Sequence, residues 1–243
     1  MLNSPIVRPA DPTRPGYTFT GWYTDVDCTA PWAFGQEVSQ NLHLYAGWKE
    51  GADSGTAVTL PFTDVPPGSW FYDSVLAVYT NGLMNGVSDA SFSPGTPTSR
   101  AMIVTILWRM EGSPKENHAM HFADVADNLW YTEAIRWANK HGIVNGYSDT
   151  SFAPNESITR EQIAAILWRY AKFKQYDVSV GNQVSLNEYS DADKISGYAV
   201  DAMKWACGSG LIQGMDDHTL APQGTAIRAQ AATILMRFCE KHK

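Results

Sequence analysis

Three arginines occupy equivalent places in the sequence, each at the start of an apolar helical pattern: Arg100, Arg160 and Arg228. A guanidinium group can hold a carboxylate through two parallel charge-assisted hydrogen bonds. In the first turn of a helix it also lies beside free backbone amides and the positive end of the helix dipole, and both favour an anion. These arginines are therefore candidates for binding a small anionic ligand. The alternative, which residue type and position alone favour, is that they are solvated or pair with nearby acids.

An aspartate and an aromatic residue precede each arginine at nearly constant distances. The three sets are Asp64 with Trp70, Asp124 with Trp130, and Asp191 with Tyr198. An aspartate can accept hydrogen bonds from the hydroxyl or amide groups of a ligand, and an aromatic face can stack on an apolar ring face. In the competing interpretation the aspartates are helix caps or turn residues. For the tryptophans we favour a place in the core over a place in a binding site.

Composition and charge exclude several classes of protein. The chain has 243 residues, of which 44% are hydrophobic, so it has ample material for a packed core and is not predicted to be disordered. Its formal net charge of −7 disfavours nucleic acid as a partner, because phosphate binding needs a dominant basic face. No apolar run reaches the roughly 18 residues that a membrane-spanning helix needs, so membrane insertion is not expected.

No pattern in the sequence predicts a metal site, a cofactor or a catalytic centre. There is no Cys-x-x-Cys motif, and an acidic loop that begins at Asp191 has Ser196 and Ala202 where a calcium-binding EF-hand requires glycine and glutamate. Neither a Ser-His-Asp nor a Cys-His arrangement stands out, and no pair of acids recurs that could perform acid–base chemistry. We therefore expect a protein that is not an enzyme.

Four motifs recur three times in the same order, and this repetition organises the chain. They lie at 62–65, 81–86, 91–94 and Arg100; at 122–125, 141–146, 151–154 and Arg160; and at 189–192, 209–214, 219–222 and Arg228. The central glycine moves by 60 residues from Gly82 to Gly142 and by 68 from Gly142 to Gly210, with the extra length mostly in the polar stretch 174–188. We interpret the three stretches as homologous repeats.

Each repeat is predicted to be a helix, a glycine-rich loop and a second helix. In the second copy, apolar residues from Trp130 onward have helical spacing, and Gly142 can end this first helix in a left-handed conformation. Thr159 and Gln162 form a capping box for the second helix, which continues to about Phe173. One hairpin cannot bury its apolar stripe alone, so the three hairpins must pack together.

The N-terminal residues have a different pattern. Aromatic residues alternate with small polar ones over 17–23, which predicts a strand, and a second strand is predicted over 41–48. A turn is predicted at 12–16, and the small and polar residues at 50–59 are typical of a linker.

The repeats resemble the S-layer homology domain family, whose motifs are an aromatic-x-Asp-Val segment, an Asn-Gly-containing turn, a Phe-x-Pro loop and a Thr-Arg-Ala-Glu segment. The three copies are assigned to 60–115, 116–180 and 181–243. They depart from the family pattern in two ways, because the glutamate of the last motif is absent from every copy and Tyr198 stands where the other copies have tryptophan. We therefore expect the grooves between neighbouring repeats to differ from one another.

The resemblance implies a mainly α fold in which three repeats form a pseudo-threefold trimer around a central three-helix bundle. It also implies non-covalent binding of secondary cell-wall polysaccharide, through pyruvylated amino sugars held in grooves between repeats, and an extracellular location at the cell wall or S-layer. An arginine, an aspartate and an aromatic face are a suitable set for an acidic amino sugar. The alternative function is a structural module that makes protein–protein contacts in a surface layer.

Residues 1–49 resemble a Listeria–Bacteroides repeat, a small β-module of bacterial surface proteins, through the segments 16–23 and 41–48. The opening strands of that module are expected to be missing, and we therefore expect the chain to be the C-terminal part of a longer exported protein. We expect a monomer.

Overall fold

Strands and helices occupy separate parts of the chain in the computed structural model. The structure describes residues 4–5, 12, 17–34, 37–38, 42–50, 59–215 and 218–242. The chain divides into two compact units, Met1–Val58 and Thr59–Lys243.

The described residues of the first unit form two small antiparallel sheets. Its strands are β1 (Ser4–Pro5), β2 (Tyr17–Tyr23), β3 (Glu37–Val38) and β4 (Tyr45–Glu50), with β1 paired to β3 and β2 paired to β4. Opposite residues Phe19 and Trp48 contact each other edge to face, with ring centroids 5.6 Å apart. Such cross-strand aromatic pairs stabilise a two-stranded ribbon.

Three expectations for this unit can be compared with the structure. The strand predicted over 17–23 is confirmed, whereas the second strand begins at Tyr45 instead of residue 41, which lies outside the described residues. The expectation that the opening strands are missing is wrong for β1, which pairs with β3. Most of the predicted turn at 12–16 and of the predicted linker at 50–59 also lies outside the described residues.

The second unit is helical, as expected for a mainly α chain with a small β part. Its helices are α1 (Tyr72–Thr80), α2 (Arg100–Met110), α3 (Thr132–Lys140), α4 (Arg160–Phe173), α5 (Val200–Gly208) and α6 (Arg228–Lys241). Short 3-10 helices at Ser179–Gln183, Ala192–Lys194 and Gly197–Ala199 lie between α4 and α5. No helix in the described ranges is both long and apolar enough to cross a bilayer.

The first helix of each repeat ends at a left-handed glycine. Gly82, Gly142 and Gly210 have φ angles of 67°, 66° and 71°, which a residue with a side chain adopts only at a cost. The prediction that Gly142 stops the helix is confirmed. The helix begins later than predicted, however, because α3 starts at Thr132 and leaves Trp130 outside it.

Side chains cap the second helices to different extents. The Thr159 hydroxyl accepts from the Gln162 amide at 3.3 Å, and the Thr159 amide donates to Gln162 Oε1 at 3.2 Å, so the predicted capping box is confirmed. At the start of α2, only the Ser99 hydroxyl contributes, by accepting from the Met102 amide at 3.3 Å. The α4 cap is therefore the more complete of the two.

Helices from successive repeats pack on one another, and the last repeat returns to the first. Helix α2 packs against α3, α4 against α5, and α6 against α1. The buried side chains between them form one hydrophobic cluster that includes Leu107, Trp137, Leu167, Trp205 and Phe238. Each second helix thus buries its apolar stripe against the following repeat.

The loops that lead into the second helices form a closed ring of backbone hydrogen bonds. The amide of Thr98 donates to the carbonyl of Ala226 at 2.9 Å, the amide of Ala226 donates to Ile158 at 2.9 Å, and the amide of Ile158 donates to Thr98 at 2.8 Å. Each repeat therefore gives one bond and receives one. This ring fixes where the three following helices begin.

Candidate functional site

The three predicted arginines cross to the neighbouring repeat. In each, Nε donates to a carbonyl in the Phe-x-Pro loop of that repeat and Nη2 donates to a carbonyl in its glycine motif. The pairs are Arg100 with Phe152 (3.0 Å) and Asn145 (3.2 Å), Arg160 with Leu220 (2.7 Å) and Gln213 (2.8 Å), and Arg228 with Phe92 (2.8 Å) and Asn85 (2.7 Å). The contacts run from repeat 1 to 2, from 2 to 3 and from 3 to 1.

Burial and fixed bonding make these arginines different from solvated surface residues. Each is only 6% exposed, and burial lowers the pKa of each guanidinium below its ordinary value. None of them forms an ion pair with a residue that the structure describes, and Nη1 of each makes no hydrogen bond within that same part of the chain. An arginine retains its charge under these conditions. One nearby acid raises the pKa of each guanidinium without forming a salt bridge with it: Glu156 for Arg100, Asp191 for Arg160 and Asp64 for Arg228.

The helix-start amides do not contribute in the way the sequence analysis assumed. The Arg100 amide donates to the carbonyl of Glu156 and the Ala101 amide to that of Pro154, both at 3.0 Å, and the equivalent amides of α4 and α6 are bonded in the same way. The loop of the next repeat therefore occupies the positions that a free helix start would offer to an anion. The part of the prediction that rested on free amides is wrong, and the guanidinium group remains.

Arg100 lines a cavity of about 350 Å³ that receives residues from all three repeats. We call it the first cleft, and its lining residues are Arg100, Val144, Asn145, Gly146, Tyr147, Gln162, Ala165, Ile166, Arg169 and Tyr198. Its volume lies within the range of small-ligand sites.

Two tyrosines form aromatic walls of the first cleft, and the first turn of α4 holds both hydroxyl groups. Gln162 Nε2 donates to the Tyr147 hydroxyl at 2.8 Å, and the Tyr198 hydroxyl donates to Glu161 Oε1 at 3.0 Å. Burial, together with the Glu161 carboxylate, raises the pKa of Tyr198. The Arg100 guanidinium lies over the Tyr147 ring, 4.5 Å from its centroid, which favours a fixed orientation of the cation.

Arg160 lines a second cavity, of about 720 Å³. We call it the second cleft; it is lined by Trp70, Asp73, Ser74, Arg160, residues 211–215, Gln230, Thr233, Ile234, Met236 and Arg237. Here Arg237 Nη2 donates to Gln213 Oε1 at 3.1 Å and Nη1 donates to the Leu211 carbonyl at 3.4 Å.

Arg228 has a different chemical neighbourhood. It lies over the Phe92 ring at 4.4 Å, as Arg100 lies over the Phe152 ring at 4.6 Å. The difference is that α2 carries Met102 at the place where α4 carries Gln162 and α6 carries Gln230. The cation that corresponds to Arg169, Arg109, is exposed and lines a separate cavity beside Met236. The expectation of unequal grooves thus has a physical basis in side-chain chemistry.

The second arginine of each cleft, Arg169 in the first and Arg237 in the second, was not among the predicted site residues. Arg109, Arg169 and Arg237 each follow the first arginine of their own repeat by nine residues, so a signal was present in the sequence. What could not be read from it is the pairing, because Arg169 shares a cleft with Arg100 of the preceding repeat and not with Arg160.

The predicted aspartates bind the Phe-x-Pro loops of their own repeats. Asp191 accepts from the amides of Leu220 and Ala221, both at 2.8 Å, and Asp64 and Asp124 bind the corresponding amides at 92–93 and 152–153. The aspartates do not line either cleft. Their carboxylates fix the loops whose carbonyls receive the arginines.

The predicted aromatic residues are exposed, so the preference for a core position is wrong. Trp70, Trp130 and Tyr198 are 64%, 53% and 53% exposed. The reason is that they precede the first helices, and the following residue, such as Tyr131, turns into the core instead. Trp70 lines the second cleft and Tyr198 the first, so each meets an arginine from a different repeat.

Comparisons with known proteins agree with this architecture. The S-layer homology domain model matches residues 61–101, 121–164 and 188–232. The Listeria-Bacteroides repeat domain model matches residues 2–47.

Three proteins with similar sequences illustrate the range of relatives. An endoglucanase of Bacillus sp. (strain KSM-635) is 32% identical over 175 residues, covering 72% of this chain and 18% of the endoglucanase. A cell surface protein of Thermoanaerobacter kivui is 30% identical over 191 residues, covering 76% and 22%. A cellulosome-anchoring protein of Acetivibrio thermocellus is 26% identical over 188 residues, covering 74% and 39%.

The chain spans less than half the length of each of these relatives, so the activity named for the endoglucanase describes a much longer protein. The family match and the surface-protein relatives indicate an extracellular location at the cell wall or S-layer. With three matched copies over the helical unit, the chain belongs to the S-layer homology domain family.

Proposed function

We propose that this chain anchors a surface protein to the bacterial cell wall, without catalysis, by binding an acidic secondary cell-wall polysaccharide. The single observation that carries the proposal is that buried guanidinium groups line two clefts between repeats, with no ion-pair partner among the described residues. A buried cation is stabilised by an anion that completes its hydrogen bonds. An acidic sugar meets this requirement at the mouth of each cleft.

The clefts suit a sugar that carries a carboxylate, such as a pyruvylated amino sugar. Nη1 of Arg100 is left for a ligand oxygen once Nε and Nη2 are bound to protein carbonyls. An aromatic side chain beside the cation, Tyr198 in the first cleft and Trp70 in the second, can cover the apolar face of a sugar ring. Arginine-lined clefts favour this function over the alternative of a purely structural module in a surface layer.

We also propose a pseudo-threefold arrangement of the repeats around α2, α4 and α6, with a single chain sufficient to form it. The cyclic arginine contacts and the closed backbone ring support this arrangement. The boundaries we propose are 60–115, 116–180 and 181–243 for the repeats, after an N-terminal β-module at 1–49 and a linker at 50–59.

A change to the ligand tests the proposal without changing the protein. We expect the full chain to sediment with purified walls that carry pyruvylated polysaccharide, and to remain in solution after mild acid has removed the pyruvate, because the carboxylate is then lost. Walls mock-treated at neutral pH are the control. Equal sedimentation with both preparations would contradict recognition of the acid group.

The arginine variants must be interpreted together with stability. Arg160→Ala is expected to weaken binding and, because Arg160 bonds two carbonyls of the next repeat, to lower the free energy of unfolding as well.

A further inference from the structure

We infer that the first cleft is the main acid-binding site of this chain, and that Arg169 makes it so by facing the ligand carboxylate together with Arg100. This inference rests on the proposed function and assigns it mainly to one of the two clefts. Arg169 lies outside the family motifs.

Arg169 is half-buried and has no hydrogen bond or ion pair with any residue in the described ranges, yet it lines the same cavity as Arg100. Burial lowers the pKa of Arg169 and of Arg100; the nearby charge of Arg169 lowers the pKa of Arg100 further, whereas the charge of Glu156 raises it. Neither arginine forms a salt bridge with a described residue, so two desolvated like charges face each other across the cleft. A carboxylate between them removes both the repulsion and the unmet hydrogen-bonding capacity.

The first cleft also has the more favourable charge. No acidic residue is among its lining residues, which include two arginines. The second cleft includes Asp73 beside its two arginines, and Arg237 already donates to Gln213 and Leu211. An anion that enters the second cleft therefore meets a carboxylate and has to compete for Arg237.

The neighbourhood of Arg228 is the least polar of the three. It offers one buried guanidinium, with Met102 at the position of the cleft glutamines, and Arg109 is exposed beside another cavity. We therefore expect weaker binding of an acid there.

The aromatic walls of the first cleft define the rest of the ligand. The hydroxyl groups of Tyr147 and Tyr198 are held by Gln162 and Glu161, so both rings have fixed positions beside the cations. A pyranose ring with one apolar face and a carboxylate substituent fits this set of groups. The ligand class is thus a carboxylated sugar residue presented at a chain end or as an accessible side group.

The experiment compares equivalent arginines that differ in their surroundings. Arg169→Met, Arg237→Met and Arg109→Met are made in the full chain, because methionine keeps the length and removes the charge. Calorimetry measures binding of short pyruvylated fragments of wall polysaccharide, and of the same fragments after removal of pyruvate. Thermal unfolding of each variant reports stability.

We expect Arg169→Met to weaken binding of the pyruvylated fragment about tenfold or more, since it removes a charge-assisted hydrogen bond. Arg109→Met and Arg237→Met should change the affinity less than about threefold. The stoichiometry of high-affinity binding should be close to one fragment per chain. The wild type and Arg169→Met should bind the pyruvate-free fragment equally weakly.

Two other outcomes separate the inference from the proposed function. If removal of pyruvate abolishes binding but Arg169→Met behaves like Arg109→Met, the first cleft is not the main site and the anchoring proposal stands. If removal of pyruvate changes nothing, both fail. A lysine at position 169 distinguishes charge from geometry, because Arg169→Lys should restore only part of the affinity.

Discussion

At the scale of single residues, one arginine in each repeat joins two repeats and, in the proposed function, is also available to a ligand. Its Nε and Nη2 groups bind carbonyls of the neighbouring repeat, and this leaves Nη1 in a fixed direction. Because the bonds to the protein hold the side chain, a ligand does not have to order it, which reduces the entropic cost of binding. Lysine cannot replace it, since a single ammonium cannot hold both carbonyls and a ligand in a plane.

The aspartates hold the loops that receive these arginines, and they should make stability depend on pH. Burial of Asp64 and Asp124 opposes ionisation, but hydrogen bonds from the loop amides and serine hydroxyls outweigh it and lower the pKa of each carboxyl. A carboxyl whose pKa is lower in the folded state stabilises the protein at pH values above its pKa in the unfolded chain. This stabilisation is lost as the pH falls from the unfolded pKa through the folded pKa.

We therefore expect the free energy of unfolding to fall steeply below about pH 4, and less steeply in the Asp64→Asn, Asp124→Asn double variant. At neutral pH the variant should be less stable by about 1 kcal/mol per site, because an amide accepts only part of the original bonds. Urea unfolding between pH 7 and pH 2.5 measures both effects. The exposed pair Asp89→Asn, Asp149→Asn is the matched control, and an equal slope in wild type and both variants would contradict the assignment.

At the scale of elements, the first turn of α4 organises the first cleft. Three consecutive residues there bond outward, with Arg160 reaching the next repeat, Glu161 holding Tyr198 and Gln162 holding Tyr147. Glu161 is only 2% exposed and also accepts bonds from Ser196 and Gln223. The other two second helices have alanine at this position, so this connection is specific to the first cleft.

Removal of the α4 cap should therefore affect both stability and binding. Thr159→Ala breaks the hydroxyl contact to Gln162 and is expected to lower the free energy of unfolding by about 1 kcal/mol. It should also weaken binding of a pyruvylated fragment a few-fold, since Gln162 then positions Tyr147 less firmly. Denaturant unfolding and calorimetry measure the two effects.

Ser99→Ala in α2 is the matched control. The Met102 side chain accepts no hydrogen bond from the Ser99 amide, in contrast to Gln162 in α4, and Met102 lies outside the first cleft. It should destabilise the protein without a change in affinity. The connection between α4 and the cleft would be ruled out by an equal loss of affinity in Ser99→Ala and Thr159→Ala.

Local signals in the sequence were sufficient for the elements but not for the clefts. Helical periodicity, Gly142 and the Thr159–Gln162 box predicted the hairpin of the second repeat to within two residues. The exposure of Trp130 and the pairing of Arg169 with Arg100 depend on contacts between repeats that lie far apart in sequence. The helix-start amides depend on such contacts too. Their carbonyl partners belong to the next repeat, so these amides look free when one repeat is considered alone.

At the scale of the whole molecule, the repeats complete one another. The bonds of Arg228 to Phe92 and Asn85 join the last repeat to the first. Tyr170 of α4 packs on Phe238 of α6, with ring centroids 5.7 Å apart. A chain that lacks the third repeat therefore loses partners for both of the others.

We expect residues 59–180 alone to lack a cooperative unfolding transition, because the apolar faces of α1 and α4 would be exposed to water. Residues 59–243 should retain one, since the helical unit has its own core. Circular dichroism during urea unfolding tests both chains. A sharp transition in 59–180 at the midpoint of the longer chain would show that the third repeat is dispensable for folding.

The closed ring of contacts has a mechanical consequence for a protein tethered to a wall. A tensile force applied at residue 59 acts on the first repeat. Arg228 bonds this repeat to the third repeat, and Arg100 bonds it to the second. In an open array, an end repeat has one neighbour and can peel away alone. Here the contacts of the first repeat with both neighbouring repeats must break before it is released, so the tensile force is shared between two interfaces.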